Sequence, residues 1–314
     1  MTAQTEPHTG RAPARRLGDR LFQGIARTAG VTIVVILAWV AVFLTVEGLP
    51  AFTADPKEIE GGGGIVAYIA PLIFGTVLAA VIALAVAMPL AVGIALFISH
   101  YAPRRLAQGL GYVVDLLAAI PSVVYGLWGI FYLAPALVPF YAWLERHLGF
   151  IPLFAGPFSV TGRTMLTAGL VLAVMILPII TAVSREVFLQ TPRLHEEASL
   201  ALGATRWEMI RMAVFPYGRS GVVSAAMLGL GRALGETMAV AMVLSATGGY
   251  VFNLIGNQNS STVAADIALN FPEATGLQVN TLIASGLVLF VFTFAVNFLA
   301  RAIVNRRKEF SGAN

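Results

Sequence analysis

The sequence contains no cysteine and unusually little charge. The absence of cysteine among 314 residues excludes disulfide bonds and thiolate metal sites. Charged residues make up only 11% of the chain, whereas a soluble domain carries about a quarter, so this chain cannot cover a water-facing surface. Hydrophobic residues make up 58%, and the mean hydropathy is +0.81. This composition excludes a soluble globular protein and predicts an all-α integral membrane protein.

Long apolar runs predict six transmembrane helices, because a helix needs roughly 20 apolar residues to cross the bilayer core. The second run is longer than one straight span needs and contains Pro71 and Pro89, which indicates a tilted or kinked helix. A basic tail that is too long for a signal peptide precedes the first run, so we expect no cleavage. The predicted spans are 29–46, 68–98, 107–133, 165–184, 220–246 and 281–304.

Arginine and lysine are distributed very unevenly between the loops. With the N-terminus in the cytoplasm, sixteen of the 20 basic residues lie on the cytoplasmic side and three lie outside. The positive-inside rule therefore predicts that both termini are cytoplasmic. Gly61–Gly64 predicts a flexible hinge in the first outer loop. The expected divisions are a basic tail at 1–28, a peripheral first span with its glycine-rich linker at 29–64, a five-span core at 65–305 and a cytoplasmic C-terminal tail at 306–314.

The longest basic connection, 186–219, is amphipathic and predicts two short helices joined at a glycine. Thr191 is a candidate N-cap, and Pro192 suits the first turn of the first helix. The second helix is predicted to end before a proline. The stretch EASLALG, followed after nine residues by AVFP, resembles the EAA loop of ABC-importer permeases. The matching residues are Glu197, Ala198, Gly203 and Pro216, and Ser199 stands where the pattern has its second alanine.

This resemblance implies that the loop docks into a cleft of a separate ATPase subunit and transmits ATP-driven closure. A surface hairpin without a partner is the alternative. The chain has no G-x-x-x-x-G-K-[ST] sequence, so we expect no cofactor in this chain and assign ATP and Mg²⁺ to the partner ATPase. The chain itself is then not an enzyme, although the assembled complex hydrolyses ATP.

The stretch GLGRALGETMAV places Arg232 and Glu236 deep in the fifth predicted span. Arg232 lies 13 residues past Arg219, roughly 20 Å along a helix that rises about 1.5 Å per residue. An unpaired charge at this depth costs several kcal/mol or more. One interpretation is a structural ion pair, because residues four apart share a helix face. The other is a polar pathway for an anion, with the arginine as its guanidinium partner.

The carboxylate of Glu236 favours phosphate over sulfate as the anion. Phosphate near neutral pH carries at least one proton and can donate a hydrogen bond to a carboxylate, whereas sulfate carries none. A site that leaves a buried polar group unmatched discriminates strongly against the wrong ligand.

Other polar residues in the predicted spans are weaker candidates. Three roles are open for Asp115: it faces the pathway, it balances the charge of the buried arginine, or it stays near the inner membrane interface. Pro121 frees backbone groups, so the nearby hydroxyls either line the pathway or pack, and Thr237 either lines it or bonds back to its own helix. Gly231 and Gly235 are predicted to let another helix approach closely. The candidate pathway residues are Arg232, Glu236, Asp115, Ser122, Tyr125 and Thr237.

Two further features complete the candidate sites. In the outer loop 247–280, Ser261 or Thr262 is predicted to cap a short helix. His195 lies in the amphipathic connection and the other histidines lie outside the predicted spans. This placement indicates neither a proton relay nor a metal site.

GLGRALGETMAV together with IPSVVYGLWGIFYLAP (Ile120–Pro135) resembles the PstC family of phosphate ABC-importer permeases, and the resemblance covers most of the chain from the second span onward. It implies a six-span permease with the type I ABC importer (MetI-like) fold in the bacterial plasma (inner) membrane. It also implies a PstA-like permease partner, two PstB-like ATPase subunits and a PstS-like extracytoplasmic phosphate-binding protein. No nucleic-acid partner is expected.

The residues also bear on three rival functions. GRSG (Gly218–Gly221) resembles the GxSG of intramembrane serine proteases, but no histidine follows His195 to act as the base. A channel or secondary transporter would not need the glycine-hinged connection. A permease for another oxyanion, such as molybdate or sulfate, is the remaining alternative.

Overall fold

The computed structural model describes residues 17–310, and over this range the chain is helical and has no strand. The predicted tails fall partly at 1–16 and 311–314, outside the described residues. Three π-helical turns interrupt the helices, at Phe97–Tyr101, Gly129–Leu133 and Ile210–Val214. The α-helices are α1 (Leu17–Thr53), α2 (Gly64–Leu96), α3 (Arg104–Ala118), α4 (Ser122–Trp128), α5 (Ala134–Leu148), α6 (Met165–Leu189), α7 (Arg193–Ala201), α8 (Arg206–Met209), α9 (Phe215–Leu234), α10 (Met238–Val243), α11 (Val263–Asn270) and α12 (Leu277–Phe310).

Five helical segments within residues 17–310 are long and apolar enough to cross a membrane. Four of them cover the first, second, fourth and sixth predicted spans. The third prediction, 107–133, has the wrong boundaries, because α3 ends at Ala118 and the long apolar helix runs over Ser122–Leu148. Pro121 explains this break, since proline lacks a backbone N–H and disfavours helical geometry in the residue before it.

The rigid centre of the bundle is the pair formed by α2 and α6, the most extensive helix pair in the described part of the chain. Ala83, Ala87 and Ala91 lie four residues apart on α2 and are fully buried. Residues with this spacing share one helix face, and small side chains let two helix backbones approach closely. From α6, Gly169 lies so close to Ile82 that a Cβ would collide with it.

The fifth predicted span, 220–246, is divided between two helices, α9 and α10, instead of forming a single helix. Gly218 near the start of α9 packs on Phe188 near the end of α6, and Gly229 packs on Ile180 further back along α6. α9 is therefore antiparallel to α6, and α10 continues beside α6. We call the end of the bundle that carries α7 the α7 end, and the opposite end the α11 end.

α1 lies at the edge of the bundle, where it packs along α12. The Asn280 side-chain amide donates to the Glu47 carbonyl oxygen at 2.6 Å and ties the two helices together. Between α1 and α2, Gly61 and Gly62 have φ of 86° and 67°. Positive φ favours glycine, so turn geometry alone requires part of this glycine run, and its action as a hinge stays a prediction.

α11 lies over the ends of α2 and α12. The Thr262 side chain accepts from the Ala265 N–H at 3.4 Å, which confirms the predicted cap. The Tyr68 hydroxyl donates to Asp266 at 2.7 Å, and the Asn270 amide donates to the same carboxylate at 3.0 Å. Burial raises the pKa of Asp266, although these two hydrogen bonds act in the opposite direction.

Candidate functional site

Two interrupted helices meet in the middle of the bundle. The chain leaves helical geometry at Gly235–Thr237, between α9 and α10, and it turns at Ala119–Pro121, between α3 and α4. α4 packs directly on α10. Gly126 makes this contact close, because a Cβ at that position would lie 3.0 Å from the Ala239 Cα and 3.0 Å from the Met242 sulfur. We call this region the central break.

Glu236 is buried at the central break, with 8% of its surface exposed. Its Oε1 accepts a hydrogen bond from the Ala239 N–H at 3.1 Å. The carboxylate thus satisfies one of the free N–H groups in the first turn of α10, where a negative charge is favourable. The second carboxylate oxygen makes no hydrogen bond within the described residues, so it is free to accept one from a ligand.

Arg232 is half-buried in the last turn of α9. Among the described residues no ion pair joins it to Glu236. Gly235 ends the helix between them, so the helical spacing that suggested a local pair is interrupted. The Arg232 guanidinium instead lies within electrostatic range of the Tyr125 hydroxyl. The helix end thus leaves this cation without a carboxylate partner among the described residues.

Tyr125 stabilises the turn that follows α3. Its side chain is buried, and its hydroxyl donates to the Leu117 carbonyl oxygen at 2.8 Å. The same carbonyl also accepts from the Ile120 N–H at 3.3 Å, so the hydroxyl reinforces the turn that ends α3. Ser122 is half-buried at the start of α4 and lies on the same turn. Tyr125 therefore has a structural contact of its own, whether or not it also faces a solute.

Thr237 bonds back to its own backbone, the second of the two outcomes expected from the sequence. Its hydroxyl donates to the Gly235 carbonyl oxygen at 3.2 Å. The prediction that Gly231 and Gly235 admit a neighbouring helix is wrong within this chain, since a Cβ at Gly231 would meet nothing within 4 Å and one at Gly235 only its own helix. Gly229, two residues earlier, makes the close contact instead.

Arg163 at the α11 end was not among the predicted site residues. Its guanidinium donates to the Met242 carbonyl oxygen at 3.3 Å and to the Leu244 carbonyl oxygen at 3.5 Å. A cation there complements the C-terminal end of α10, just as the Glu236 carboxylate complements the N-terminal end. The sequence signal was a lone arginine directly before Thr164, which caps α6.

Asp115 lies on α3, about one helical turn before the Ala119–Pro121 turn of the central break. It is exposed on α3 and lines a cavity of about 520 Å³ at the α7 end, together with Arg104, Arg185 and Arg193. No ion pair between Asp115 and Arg232 is present among the described residues. Of the three roles considered for Asp115, this position agrees best with the third, in which the residue stays near the inner membrane interface.

The amphipathic connection folds as two helical segments around Gly203, whose φ of 86° is left-handed. Two details of its prediction are wrong. Thr191 does not cap α7, because its buried hydroxyl has no partner and Pro192 occupies the N-cap position. The second helix continues through Pro216, because a π-turn bond from the Phe215 N–H to the Ile210 carbonyl widens the helix just before the proline ring.

The remaining motif residues lie where a partner can reach them. Glu197 and Ala198 are exposed and Ser199 is half-exposed on α7, which has no buried residue at all. α8 starts with a capping box between Thr205 and Glu208. Hydrogen bonds from the Thr205 backbone and side chain lower the pKa of Glu208. The segment is thus a well-formed but largely unburied surface, which is the state expected of a docking element.

One contact from this segment to the transmembrane bundle was also missed from the sequence. His100, in the π-turn that ends α2, has its Nε2 3.5 Å from a Glu196 carboxylate oxygen on α7. The Ser99 hydroxyl lies 2.7 Å from its Nδ1 and holds the ring. No local sequence pattern predicts this contact, because it depends on how the end of α2 packs against α7.

Comparison with known proteins identifies relatives of this architecture. A family model described as "Binding-protein-dependent transport system inner membrane component" matches residues 87–309. Phosphate transport system permease protein PstC 2 of Mycobacterium tuberculosis is 48% identical over 93% of both chains. PstC of Mycobacterium leprae is 44% identical over 98% of this chain and 99% of its own. A solved bacterial ABC transporter that imports the acidic polysaccharide alginate has a TM-score of 0.55 at 16% identity, and covers 91% of this chain and 99% of that chain.

Proposed function

The chain belongs to the family of binding-protein-dependent transport system inner membrane components, and we propose that it is the PstC-type permease subunit of an ATP-driven importer for inorganic phosphate. It is a multi-pass inner membrane protein. We propose that it forms half of the translocation pathway, with the central break as its narrowest polar part.

The meeting of two interrupted helices is the observation that carries this assignment of the pathway. Within a membrane, backbone that leaves helical geometry is tolerated only where protein buries it or where it lines a water-filled cavity. Interrupted helices near the midplane are a recurring way to build transport sites. Here the interruptions at Gly235–Thr237 and Ala119–Pro121 lie on helices that pack together, and Arg232 and Glu236 belong to the first of them.

At this break, the proposed roles of Arg232 and Glu236 are complementary. The half-buried guanidinium attracts the anion and presents several N–H donors to its oxygens. Oε1 of Glu236 accepts from the Ala239 N–H, so its second oxygen remains to accept a hydrogen bond from a protonated phosphate. Sulfate has no proton to offer there, so the pair selects against it. This is the reason for preferring phosphate to sulfate or molybdate as the solute.

The same proposal assigns the segment from α7 to α9 to coupling. Glu197, Ala198, Ser199, Gly203 and Pro216 form the surface that docks into a separate ATPase subunit. Each of two PstB-like ATPase subunits would bind ATP and Mg²⁺, and this chain would bind neither. A PstA-like permease would complete the pathway, and a PstS-like protein would deliver phosphate at the α11 end. The α7 end and both termini would then be cytoplasmic, as the distribution of basic residues indicates.

The test is ATP-driven phosphate uptake by the purified complex in proteoliposomes, with sulfate and molybdate as competitors. We expect uptake of phosphate only, and loss of most uptake in Arg232→Lys, since an ammonium cannot present the planar guanidinium fork. Arg219→Lys, an exposed arginine near the start of the same helix, is the matched control. The proposal would be overturned by preferred uptake of another oxyanion. It would also be overturned if native mass spectrometry detected two copies of this chain in the complex.

A further inference from the structure

A largely polar face runs along α3. Arg104, Gln108, Gly111 and Asp115 follow one another at intervals of four, three and four residues. This spacing places them on one side of a helix. All four line the 520 Å³ cavity described above, which is also bordered by the end of α2, by α6 and by the first residue of α7. We call this cavity the α3–α6 cleft.

The cleft accommodates Arg185 in a fixed position. The Arg185 side chain is 17% exposed, and it donates to the Glu186 carboxylate from Nη2 at 2.7 Å and from Nε at 3.3 Å. Its Nη1 lies against Gly111, where a Cβ would collide with the guanidinium. A glycine on the polar face of α3 therefore makes room for an arginine from α6.

The charges around the cleft are not balanced. Arg104, Arg185 and Arg193 reach it from three different helices, and the acids that line it are Glu186 and Asp115. Glu186 is already paired with Arg185. Among the described residues Arg104 and Arg193 have no ion-pair partner. Two exposed cations thus border a cavity whose remaining carboxylate, Asp115, lies nearer the C-terminal end of α3.

We propose that the α3–α6 cleft binds a phosphate group. Arginine side chains from separate helices can each donate to a different oxygen of a tetrahedral oxyanion, and Asp115 can accept a hydrogen bond if that group is protonated. Basic pockets between helices near one face of a membrane are suited to anionic lipid headgroups. The exposed side chains of Tyr112 and Leu189 also border the cleft, so acyl chains would have apolar surface beside the headgroup.

The phosphate group has two sources, inorganic phosphate and an anionic phospholipid. Either one would join α7, through Arg193, to α3 and α6, and so restrain the segment proposed to dock on the ATPase. The site is separate from the central break and uses other residues. It stands even if the transported solute is not phosphate.

The absence of cysteine from the natural sequence allows a direct test. Gln108→Cys introduces a single thiol into the cleft of the full chain, purified with the subunits that accompany it and placed in phosphatidylcholine nanodiscs. Its rate of modification by an uncharged thiol reagent is measured with increasing inorganic phosphate. Simple competition slows labelling by a factor of one plus the phosphate concentration over Kd, or about fourfold at three times Kd. Potassium chloride at equal ionic strength is the salt control.

Matched arginine variants make the test specific. Arg104→Gln combined with Arg193→Gln should abolish protection of the thiol, and both residues are exposed, so the fold should survive. Arg105→Gln, the neighbouring arginine outside the cleft, should leave protection intact. Protection by inorganic phosphate identifies a soluble ligand. Protection only after phosphatidylglycerol replaces part of the phosphatidylcholine identifies a lipid headgroup. The proposal is overturned if neither protects the thiol, or if potassium chloride protects it equally.

Discussion

Replacing Glu236 separates its two possible functions, as the cap of α10 and as a solute ligand. Glu236→Gln keeps an oxygen that can accept from the Ala239 N–H, now 3.1 Å from the carboxylate. It removes the negative charge and adds two amide donors. Glu236→Ala removes the acceptor altogether. The two variants should therefore differ in stability but agree in losing selectivity for a protonated anion.

The expected magnitudes follow from the burial of this residue. In Glu236→Ala the Ala239 N–H loses its acceptor at a buried position, which costs about 1–3 kcal/mol. In Glu236→Gln the acceptor remains, so we expect a loss below about 1 kcal/mol. The hydrogen bond from a protonated phosphate to a charged acceptor is worth about 1.5–3 kcal/mol. Its loss should reduce the preference for phosphate over sulfate by roughly tenfold to a hundredfold.

The assay compares phosphate and sulfate uptake at matched amounts of membrane-inserted protein, alongside thermal unfolding of the complex in detergent. Glu273→Gln, an exposed carboxylate at the α11 end, is the control and should behave like the unmodified protein. If Glu236→Gln transports phosphate with unchanged selectivity, the carboxylate is only a cap, and the reasoning about a protonated anion is refuted.

Three other changes test separate features. Gly203→Val forces a β-branched residue to φ of 86°, a strain of about 1–3 kcal/mol, so ATP hydrolysis and uptake should fall together in a protein that still inserts; unchanged coupling would contradict this. In a double-mutant cycle of thermal stability, His100→Gln and Glu196→Gln should show a coupling energy of about 0.5–2 kcal/mol. His195→Gln is the control, and purely additive effects would show that the two side chains do not interact. Burial raises the pKa of Asp266, so the stability that this residue contributes is present at low pH and is lost as the pH rises through the folded-state pKa. Asp266→Asn should therefore flatten the pH dependence of the free energy of unfolding above about pH 4, and an unchanged slope would contradict the burial argument.

The sequence predicts the outline of the bundle well because hydropathy is a local property. Four predicted spans coincide with long apolar helices, and the Thr262 cap forms as expected. The errors lie where one residue decides a boundary. Pro121 divides the third span, although the hydrophobic run continues across it. Pro216 does not end its helix, because a π-turn before it accommodates the ring, and hydrophobic patterning carries no information about such a turn.

The candidate site is predicted less completely, because its contacts are long-range. The sequence locates Arg232 and Glu236 but not the break between them, so a local ion pair remained the alternative to a solute site. Gly235 was assigned to helix packing, and it terminates α9 instead. The contacts of Arg163 and His100 join segments far apart in the chain, and a single sequence does not show which distant segments meet.

The helical path from α8 to α9 continues through the π-turn at Ile210–Val214, and its length has a mechanical consequence. From Arg206 to Leu234 it spans about 29 residues, or roughly 43 Å at about 1.5 Å per residue. If this rod pivots near α8 by about 5°, its far end sweeps roughly 4 Å sideways. A small rotation therefore leaves the surface at α8 almost unchanged. At the far end of α9, the same rotation changes the width of a passage by more than the radius of a small ion. The same arm reduces the force available at the far end in proportion, so only an obstruction that yields to a small force can be opened in this way.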